Sequence, residues 1–298
     1  MGLKWLKILN PVTKVRERFM PVTHSNAVFH GKNNETTVEN ELNNVGAKKG
    51  AGTGSTQAVD SDSVASGNYS NAYGKGNIAK HFNTIFGKWA NDSNISGAVE
   101  SSTTYGSLFA IGNGTSEDSK SNAMRLVTKG DMYIIGEYVS SGADYSEYFE
   151  WEDKNPSNID RRGLFVTMSG TKIKTASEGD YILGVVSAFP SIIGNGDEDW
   201  QGRWLKDEYG SLIVQNDSFV ENPDYDSTMK YIPRSERCEW DAIGMIGVLT
   251  VRDDGSCEVN GYCKPTNGGI ATSTNEHIQG TYRVIERINK NLVKIVFR

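Results

Sequence analysis

Cysteine, proline and long hydrophobic runs are all scarce in this sequence of 298 residues. Three cysteines, Cys238, Cys257 and Cys263, are too few for a disulfide framework and lack a CxxC spacing, so we expect free, mostly buried thiols. No apolar run has the length of a membrane span, and Lys7 interrupts the N-terminal stretch that a secretion signal would need. We therefore expect no membrane span, and synthesis in the cytoplasm of the cell that produces the protein.

Basic charge is scarce as well. The net charge of −6 at pH 7 and the sequence pI near 5.4 argue against a nucleic-acid partner. The exception is residues 1–19, which carry five basic residues against the single acidic Glu17. This segment is predicted to be either an arm that binds an acidic partner or a frayed terminus.

Apolar residues make up 37% of the chain and the mean hydropathy is −0.48, which is low for a self-sufficient globule. Two interpretations fit the Gly-rich first half: disorder, or a shaft whose apolar residues are buried between three chains. Residues 36–46 are predicted to form a short helix, because Thr36 and Glu39 have the spacing of a capping box and the apolar residues of the segment share one face.

A short repeat follows. Tyr73-Gly74-Lys75 recurs thirteen residues later as Phe86-Gly87-Lys88. Each unit is too short to bury its own apolar face, so neighbouring units are predicted to stack. In residues 48–55 no lysine follows the second glycine, as the motif of a phosphate-binding loop requires. This segment is therefore interpreted as a flexible linker. Strands are predicted over 108–115 and 122–127, and a hairpin over 129–135.

The second half has stronger strand signals, so it is predicted to be a mainly β domain with a core of its own. The predicted strands cover 163–168, 181–189, 243–251, 281–288 and 292–297. In the clearest alternation, Tyr282, Val284 and Ile288 point inward. We also expect Trp200, Trp204 and Trp240 to be partly buried.

The two halves meet at a stretch rich in carboxylates. Ser140-Ser141-Gly142 precedes five acidic side chains with no basic residue before Lys154; the five are Asp144, Glu147, Glu150, Glu152 and Asp153. If they converge, the pKa of at least one should rise. Asp144 and Glu147 lie on one side if the segment makes a helical turn, and one ionised and one protonated carboxyl would form a base and an acid. The alternative is a solvated acidic face.

The Ser140–Ser141 bond is the candidate cleavage site. The Ser141 hydroxyl can attack the preceding carbonyl to give an ester, or a carboxylate can activate water on the same carbonyl; both routes stay open. Gly142 is expected to supply backbone dihedral angles that other residues resist. The candidate catalytic residues are therefore Asp144, Glu147 and Ser141.

A second acidic cluster surrounds Trp200 and Trp204, in the loop that contains Asp197 and Asp199. Its carboxylates could ligate a hard cation such as calcium, and its tryptophans could stack on a sugar, but the spacing of an EF-hand is absent. A structural loop is the favoured interpretation. We expect no metal and no other cofactor.

Three motifs carry a resemblance to a known family. They are Ser-Ser-Gly-Ala-Asp-Tyr-Ser-Glu-Tyr-Phe-Glu-Trp at 140–151, Gly-Asp-Tyr-Ile-Leu-Gly at 179–184 and Ile-Gly-Asn-Gly-Asp-Glu-Asp-Trp at 193–200. Together they resemble the self-cleaving, glutamic-peptidase-like intramolecular chaperone domain at the C-terminus of bacteriophage tail spike and neck appendage proteins. The resemblance covers roughly residues 137–298. The stretch before it resembles the β-roll head repeats of trimeric adhesins.

The family resemblance implies a trimerising domain that helps an upstream β shaft to fold and then cuts the bond ahead of itself. Asp144 and Glu147 match the acidic pair of the family, and Ser140–Ser141 matches its scissile bond. Ser146 stands where the family usually has Ala, and we expect its side chain to point outward. In a trimer the two acids could also come from different chains.

These observations predict a mainly β protein with three parts: an N-terminal anchor (1–48), a trimeric β-roll shaft (49–139) and the chaperone domain (140–298). The predicted function is that of a phage tail spike or appendage protein, located in the virion, whose last domain cleaves itself. The expected partners are two further copies in a homotrimer, other tail proteins bound through the N-terminal region, and a glycan of the host surface. The alternative is a trimeric virion or adhesin-type protein that keeps the last domain as an inactive cap.

Overall fold

The structure is a computed structural model. It describes residues 47–58, 62–80, 82–90, 107–128, 130–197, 199, 201–216 and 218–298, together with the backbone of four short strands nearer the N-terminus. These are β1 (Leu6–Leu9), β2 (Arg16–Phe19), β3 (Phe29–His30) and β4 (Thr36–Thr37). The chain divides into two compact units, residues 1–137 and 138–298. The predicted mainly β fold is confirmed: in the described ranges the single helical element is a 3₁₀ turn at Arg234–Glu236.

The N-terminal residues form antiparallel strand pairs. β1 pairs with β2 and β3 pairs with β4, so two segments of the predicted basic arm, Leu6–Leu9 and Arg16–Phe19, are antiparallel strands. The predicted helix over 36–46 is wrong at its start, where Thr36–Thr37 are extended and paired. The remaining residues of that prediction, 38–46, lie outside the described residues.

The first unit is a roll of short parallel coils. Its strands are β5 (Ala47–Lys49), β6 (Thr56–Ala58), β7 (Val64–Ala65), β8 (Asn71–Ala72), β9 (Ile78–Ala79), β10 (Thr84–Lys88), β11 (Ser107–Asn113), β12 (Asn122–Val127) and β13 (Met132–Ile134). β6, β8, β10 and β11 are parallel neighbours in one sheet, and β7 and β9 form a second parallel pair. Antiparallel β5 closes one edge of the larger sheet, and β12 and β13 close the other.

The repeat of Tyr73-Gly74-Lys75 and Phe86-Gly87-Lys88 stacks as predicted. The Tyr73 and Phe86 rings lie 5.4 Å apart, and Lys75 bridges to Lys88 in parallel register. A Cβ on Gly74 would lie 1.8 Å from the Gly87 carbonyl oxygen, so glycine is what lets the coils approach this closely.

Two expectations for this unit are wrong. Residues 48–55 do not form a loose linker but the first coil, in which the Ala51 amide donates to the Ala65 carbonyl at 2.9 Å. The apolar residues are also not all left for neighbouring chains, because a small core is buried within one chain; it consists of Ala65, Ala72, Ala79, Ile85, Ala90 and Ala110.

The second unit contains one large sheet. Its strands are β14 (Asp144–Glu150), β15 (Phe165–Ser169), β16 (Lys172–Thr175), β17 (Gly184–Val186), β18 (Ile192–Gly194), β21 (Trp240–Arg252), β22 (Tyr262–Pro265), β23 (Ala271–Thr274), β24 (Tyr282–Asn289) and β25 (Leu292–Phe297). A separate hairpin joins β19 (Val214–Gln215) and β20 (Ser218–Phe219). The thirteen-residue β21 organises the sheet, because it pairs with β14, β17 and β25.

Two apolar clusters fill this unit. The larger contains Phe165, Val251, Val284 and Ile295, and the other contains Trp151, Val166, Ile173 and Ile243. Every predicted strand of the second half overlaps an observed one, and Leu292–Phe297 matches over its full length. The inward prediction holds for Tyr282 and Val284 but is wrong for Ile288, which is 43% exposed, because β24 is irregular between Arg287 and Asn289. Among the described residues, no helix is long and apolar enough to cross a membrane.

Candidate active site

Asp144 opens β14 and its carboxylate is buried, with only 5% of the residue exposed. Each of its oxygens accepts one hydroxyl: Ser146 donates to Oδ2 at 2.6 Å and Ser187 donates to Oδ1 at 3.1 Å. In the part of the chain that the structure describes, no basic side chain is within ion-pair distance of Asp144. Hydroxyls therefore replace a counter-ion as the ligands of this carboxylate.

Glycines on the neighbouring strand make room for this carboxylate. Ser146 faces Gly244 and Asp144 faces Gly247 across the β14–β21 ladder. A Cβ on Gly244 would lie 2.8 Å from Asp144 Oδ2, and Gly247 has a φ of +124° that favours glycine. The Ser146 side chain is fully buried, so the expectation that it points outward is wrong: residues two apart on a strand share a face, and Asp144 faces inward.

Ser141 and Asp144 line the same pocket, which has a volume of about 250 Å³ and also includes Ser187 and Lys294. The Ser140 hydroxyl accepts the Gly142 amide at 3.1 Å, which makes a local turn at the serine pair. Glycine is required at position 142, but not for the unusual dihedral angles that were predicted. Its φ is not in the left-handed region; instead, a Cβ there would lie 2.5 Å from the Pro190 carbonyl oxygen.

Glu147 lies on the opposite face of β14 from Asp144. The segment is a strand and not a helical turn, so residues three apart point to opposite sides of the sheet. The Tyr145 hydroxyl donates to Glu147 Oε1 at 2.7 Å, and this hydrogen bond is the main reason why the pKa of Tyr145 is raised. The expectation that Asp144 and Glu147 converge within one chain is therefore wrong.

The remaining acids of the stretch are paired separately and do not repel one another in one cluster. Glu150 accepts Lys172 Nζ at 2.7 Å, and Glu152 accepts the Ser169 hydroxyl at 2.7 Å. The Arg161 guanidinium binds Asp153 through two nitrogens and lowers the pKa of that carboxyl. The predicted rise from crowding is thus not found at Asp153, where the shift is in the other direction.

Apolar side chains surround the exposed face that carries Glu147. Tyr145 is in register with Ile246 on β21 and with Ile192 on β18, so all three point to the same side of the sheet. They are 37%, 62% and 49% exposed, respectively. The single chain leaves this apolar patch uncovered beside one of the two candidate catalytic carboxylates.

The second acidic cluster is held by cations. Arg234 and Lys206 both pair with Asp197, at 3.1 and 2.9 Å, and Asp199 accepts the backbone amides of Arg203 and Trp204. Within the described ranges, no group of three or more His, Cys, Asp or Glu side chains could hold a metal ion. Trp204 and Trp240 are partly buried as predicted, whereas Trp200 lies outside the described residues.

The three cysteines are free thiols, as predicted, and Cys257 and Cys263 are buried. A hydrogen bond with Cys263, together with burial, raises the pKa of the Cys257 thiol. This keeps Cys257 protonated and removes it as a nucleophile.

Ser141 and the buried, hydroxyl-bound Asp144 therefore share one pocket, and Glu147 lies on the far face of the same strand. A comparison with protein families gives the class of this domain. Residues 120–292 match the family described as Peptidase_G2, IMC autoproteolytic cleavage domain, and the chain belongs to that family.

Two similar proteins of Bacillus phages illustrate the relationship. The chain is 37% identical over 140 residues to the pre-neck appendage protein of Bacillus phage B103, and 33% identical over 146 residues to that of Bacillus phage phi29. These matches cover 44% and 46% of this chain but only 16% and 17% of the relatives, so the chain spans a small part of their length.

A solved structure shares the fold. The crystal structure of the pre-mature bacteriophage phi29 gene product 12 aligns with 83% of this chain and 31% of its own, at a TM-score of 0.55 and 23% identity. At this identity the likeness concerns the fold alone.

Sequence reasoning missed Ser187 and Lys294 and misplaced Ser146. Ser187 is 43 residues from Asp144 in the chain and follows β17, with its amide bound to the Ala242 carbonyl at 2.8 Å. No local motif marks such a residue. A weak signal existed for Ser146, since alternation along a strand would have put it on the Asp144 side.

Proposed function

We propose that this chain is part of a phage appendage protein in which residues 140–298 template the assembly of a β shaft and then cut the Ser140–Ser141 bond. The single observation that carries the proposal is that Ser141 and the buried Asp144 line one pocket, inside a domain of an autoproteolytic family. Asp144 acts as the base. Glu147 acts as the acid, and Ser141 or a water molecule is the nucleophile.

The covalent step balances in either route. In the direct route, water attacks the Ser140 carbonyl carbon, the bond to the Ser141 nitrogen breaks, and the amine leaves with a proton from the acid. In the other route, the Ser141 hydroxyl attacks first, which gives an ester and a free amine, and water then hydrolyses the ester. Both end with a carboxylate on Ser140 and an amine on Ser141.

Lys294 is the cation available to the developing oxyanion. It lines the same pocket as Ser141, and its Nζ pairs with Glu286 Oε2 at 2.8 Å, which holds the side chain in place. A fixed positive charge aimed at a tetrahedral intermediate stabilises it more than mobile water does.

The two acids reach one bond only if a second copy takes part. Asp144 and Glu147 lie on opposite faces of β14, and the Glu147 face carries the uncovered apolar patch of Tyr145, Ile192 and Ile246. A homotrimer covers that patch and brings the Glu147 of one chain toward the Ser140–Ser141 bond of the next. Cleavage then waits for assembly.

The first unit supports the same assembly. The outer face of its larger sheet carries a row of apolar side chains, at Phe86, Ile111, Met124 and Ile134 on four neighbouring strands and at Tyr73 directly after β8. Three such faces packed together would bury what one chain leaves open. We also propose that the N-terminal region (1–48) attaches to other virion proteins and that the protein binds a glycan of the host surface.

Denaturing electrophoresis and mass spectrometry of the purified chain test the proposal. The parent is expected to yield fragments 1–140 and 141–298. Asp144→Asn and Glu147→Gln are each expected to slow cleavage by about 10²-fold or more while trimers still form, because each removes one proton-transfer group. A single full-length band from the parent would favour the alternative of a permanent, inactive cap.

A further inference from the structure

The environment of Asp144 contains more than burial of a carboxylate requires. A buried ionised carboxylate without partners is costly, but one cation or backbone amides would meet that cost. Here two side-chain hydroxyls from different parts of the chain each take one oxygen, Ser146 at Oδ2 and Ser187 at Oδ1. Two hydroxyl donors fix the orientation of the carboxylate and leave further lone pairs that can accept a hydrogen bond.

Both hydroxyls are themselves held in place. Ser146 is fully buried and faces Gly244, whose missing Cβ leaves the space that Asp144 Oδ2 fills. The backbone of Ser187 is held by a hydrogen bond from its amide to the Ala242 carbonyl oxygen. The Ser191 amide donates to the Asp144 carbonyl oxygen at 2.8 Å. The carboxylate is thus oriented from its own strand and from the loop after β17.

Ser146 and Ser187 together form a serine clamp on the Asp144 carboxylate, and the Ser187 side of this clamp lies in the pocket of the candidate scissile bond. Ser187 and Asp144 line the same small pocket as Ser141. Proton transfer depends on the direction of the accepting lone pair, and small misplacements of a base cost a large part of the rate. A carboxylate free to rotate in this pocket would spend much of its time facing away from the nucleophile.

We propose that Ser187 and Ser146 are positioning residues for self-cleavage, which together fix the Asp144 carboxylate in the orientation that accepts the proton of the nucleophile. This rests on the proposed function, since it assigns a role relative to Asp144 as the base. Ser146 makes the assignment specific to this chain, because alanine at that position would leave Oδ2 without its hydroxyl.

The test measures the single-turnover rate of cleavage in the full chain by pulse–chase in cell-free translation, at a series of pH values. Ser187→Ala and Ser146→Ala are each expected to slow cleavage about 10-fold, and the double variant about 10²-fold. The rate should fall across the whole pH series, because a carboxylate that is free to rotate presents its lone pair to the nucleophile less often. Ser187→Thr, which keeps the hydroxyl, should restore most of the rate.

Ser191→Ala is the matched control. It is a neighbouring serine in the same loop, and its contact with Asp144 is made by the backbone amide, so neither the rate nor the pH profile should change. Thermal melting and trimer yield accompany every variant. A purely structural role would lower the melting temperature and leave the cleavage rate of assembled trimers unchanged, and that result would overturn the proposal.

Different results would contradict the proposed role of Asp144 as the base and the positioning role of Ser146 and Ser187. If Asp144→Asn cleaves as fast as the parent, the proposed function is wrong. If Asp144→Asn abolishes cleavage and the double serine variant assembles and cleaves at the parent rate and pH profile, only the clamp is wrong. If Ser187→Ala does not assemble, Ser146→Ala and Ser187→Thr decide the matter by the same rate and profile.

Discussion

The two units bury very different side chains. Among the described residues of the first unit, the core cluster consists mostly of alanine, with Ile85 as its largest member, whereas the core of the second unit contains Trp151, Phe165, Ile243 and Leu249. Hydrophobic stabilisation scales with the apolar area removed from water, so the second unit has much more of it per residue. The stability of the first unit depends instead on stacked coils and on the backbone hydrogen bonds between them.

This contrast explains why a shaft would need a template. Neighbouring coils pair over short separations, such as Thr84 with Asn71, but each coil buries little apolar surface by itself. A unit with a small core gains little until its coils and its neighbouring copies are in register. The second unit has a larger core, and we expect it to be stable before the coils are assembled.

The largest expected effect comes from breaking the large core. Phe165→Ala should destabilise the second unit by about 3–5 kcal/mol and prevent assembly of the first, because the template is lost. Ile85→Val in the small core should cost only about 0.5–1.5 kcal/mol and leave the second unit intact. Urea unfolding of the full chain followed by far-UV circular dichroism, which reports the strands of both units, measures the difference. Similar losses from both variants would contradict the contrast.

The next effect comes from the stacked coils. Gly87→Ala should cost about 1–3 kcal/mol or more and reduce trimer yield, because a Cβ there would lie 2.2 Å from the Gly112 carbonyl oxygen at a φ of +87°. Gly130→Ala is the control, since Gly130 has a similar φ of +95° but no atom within 4 Å of the added Cβ. Equal trimer yields from the two variants would mean that close stacking does not limit assembly.

The smallest expected effect is a pH dependence of the second unit. Burial raises the pKa of Asp241 above its ordinary value of 3.8. The folded state therefore holds this proton longer than the unfolded chain, and the free energy of unfolding should fall as the pH rises from about 4 through the raised pKa. Asp241→Asn keeps an acceptor for Trp151 Nε1 and should remove about 1 kcal/mol or less of this fall. The melting temperature from pH 3 to 7 is the measurement, and an unchanged slope would contradict the assignment.

Sequence reasoning predicted what depends on local pattern. The strand Leu292–Phe297 could be recognised as a short run of mainly apolar residues. The Tyr-Gly-Lys repeat could be recognised because closely packed coils require glycine. It failed at β14, where acidic residues of low strand propensity obscured a strand that pairing with β21 stabilises. That one error reversed the relation of Asp144 to Glu147, since a helix joins residues three apart and a strand separates them. The Ser187 contact depends on the tertiary fold and left no local signal.

The most direct test of the central claim is co-expression of two differently tagged chains, one with Asp144→Asn and one with Glu147→Gln. Each variant alone should stay uncut. In mixed trimers, the Glu147→Gln chain keeps its own Asp144 beside its own Ser141 and takes Glu147 from a neighbour, so mass spectrometry should find that chain cut after Ser140 and the Asp144→Asn chain intact. If neither chain is cut in trimers shown to contain both tags, or if the Glu147→Gln chain is cut when expressed alone, cleavage between neighbouring copies is wrong.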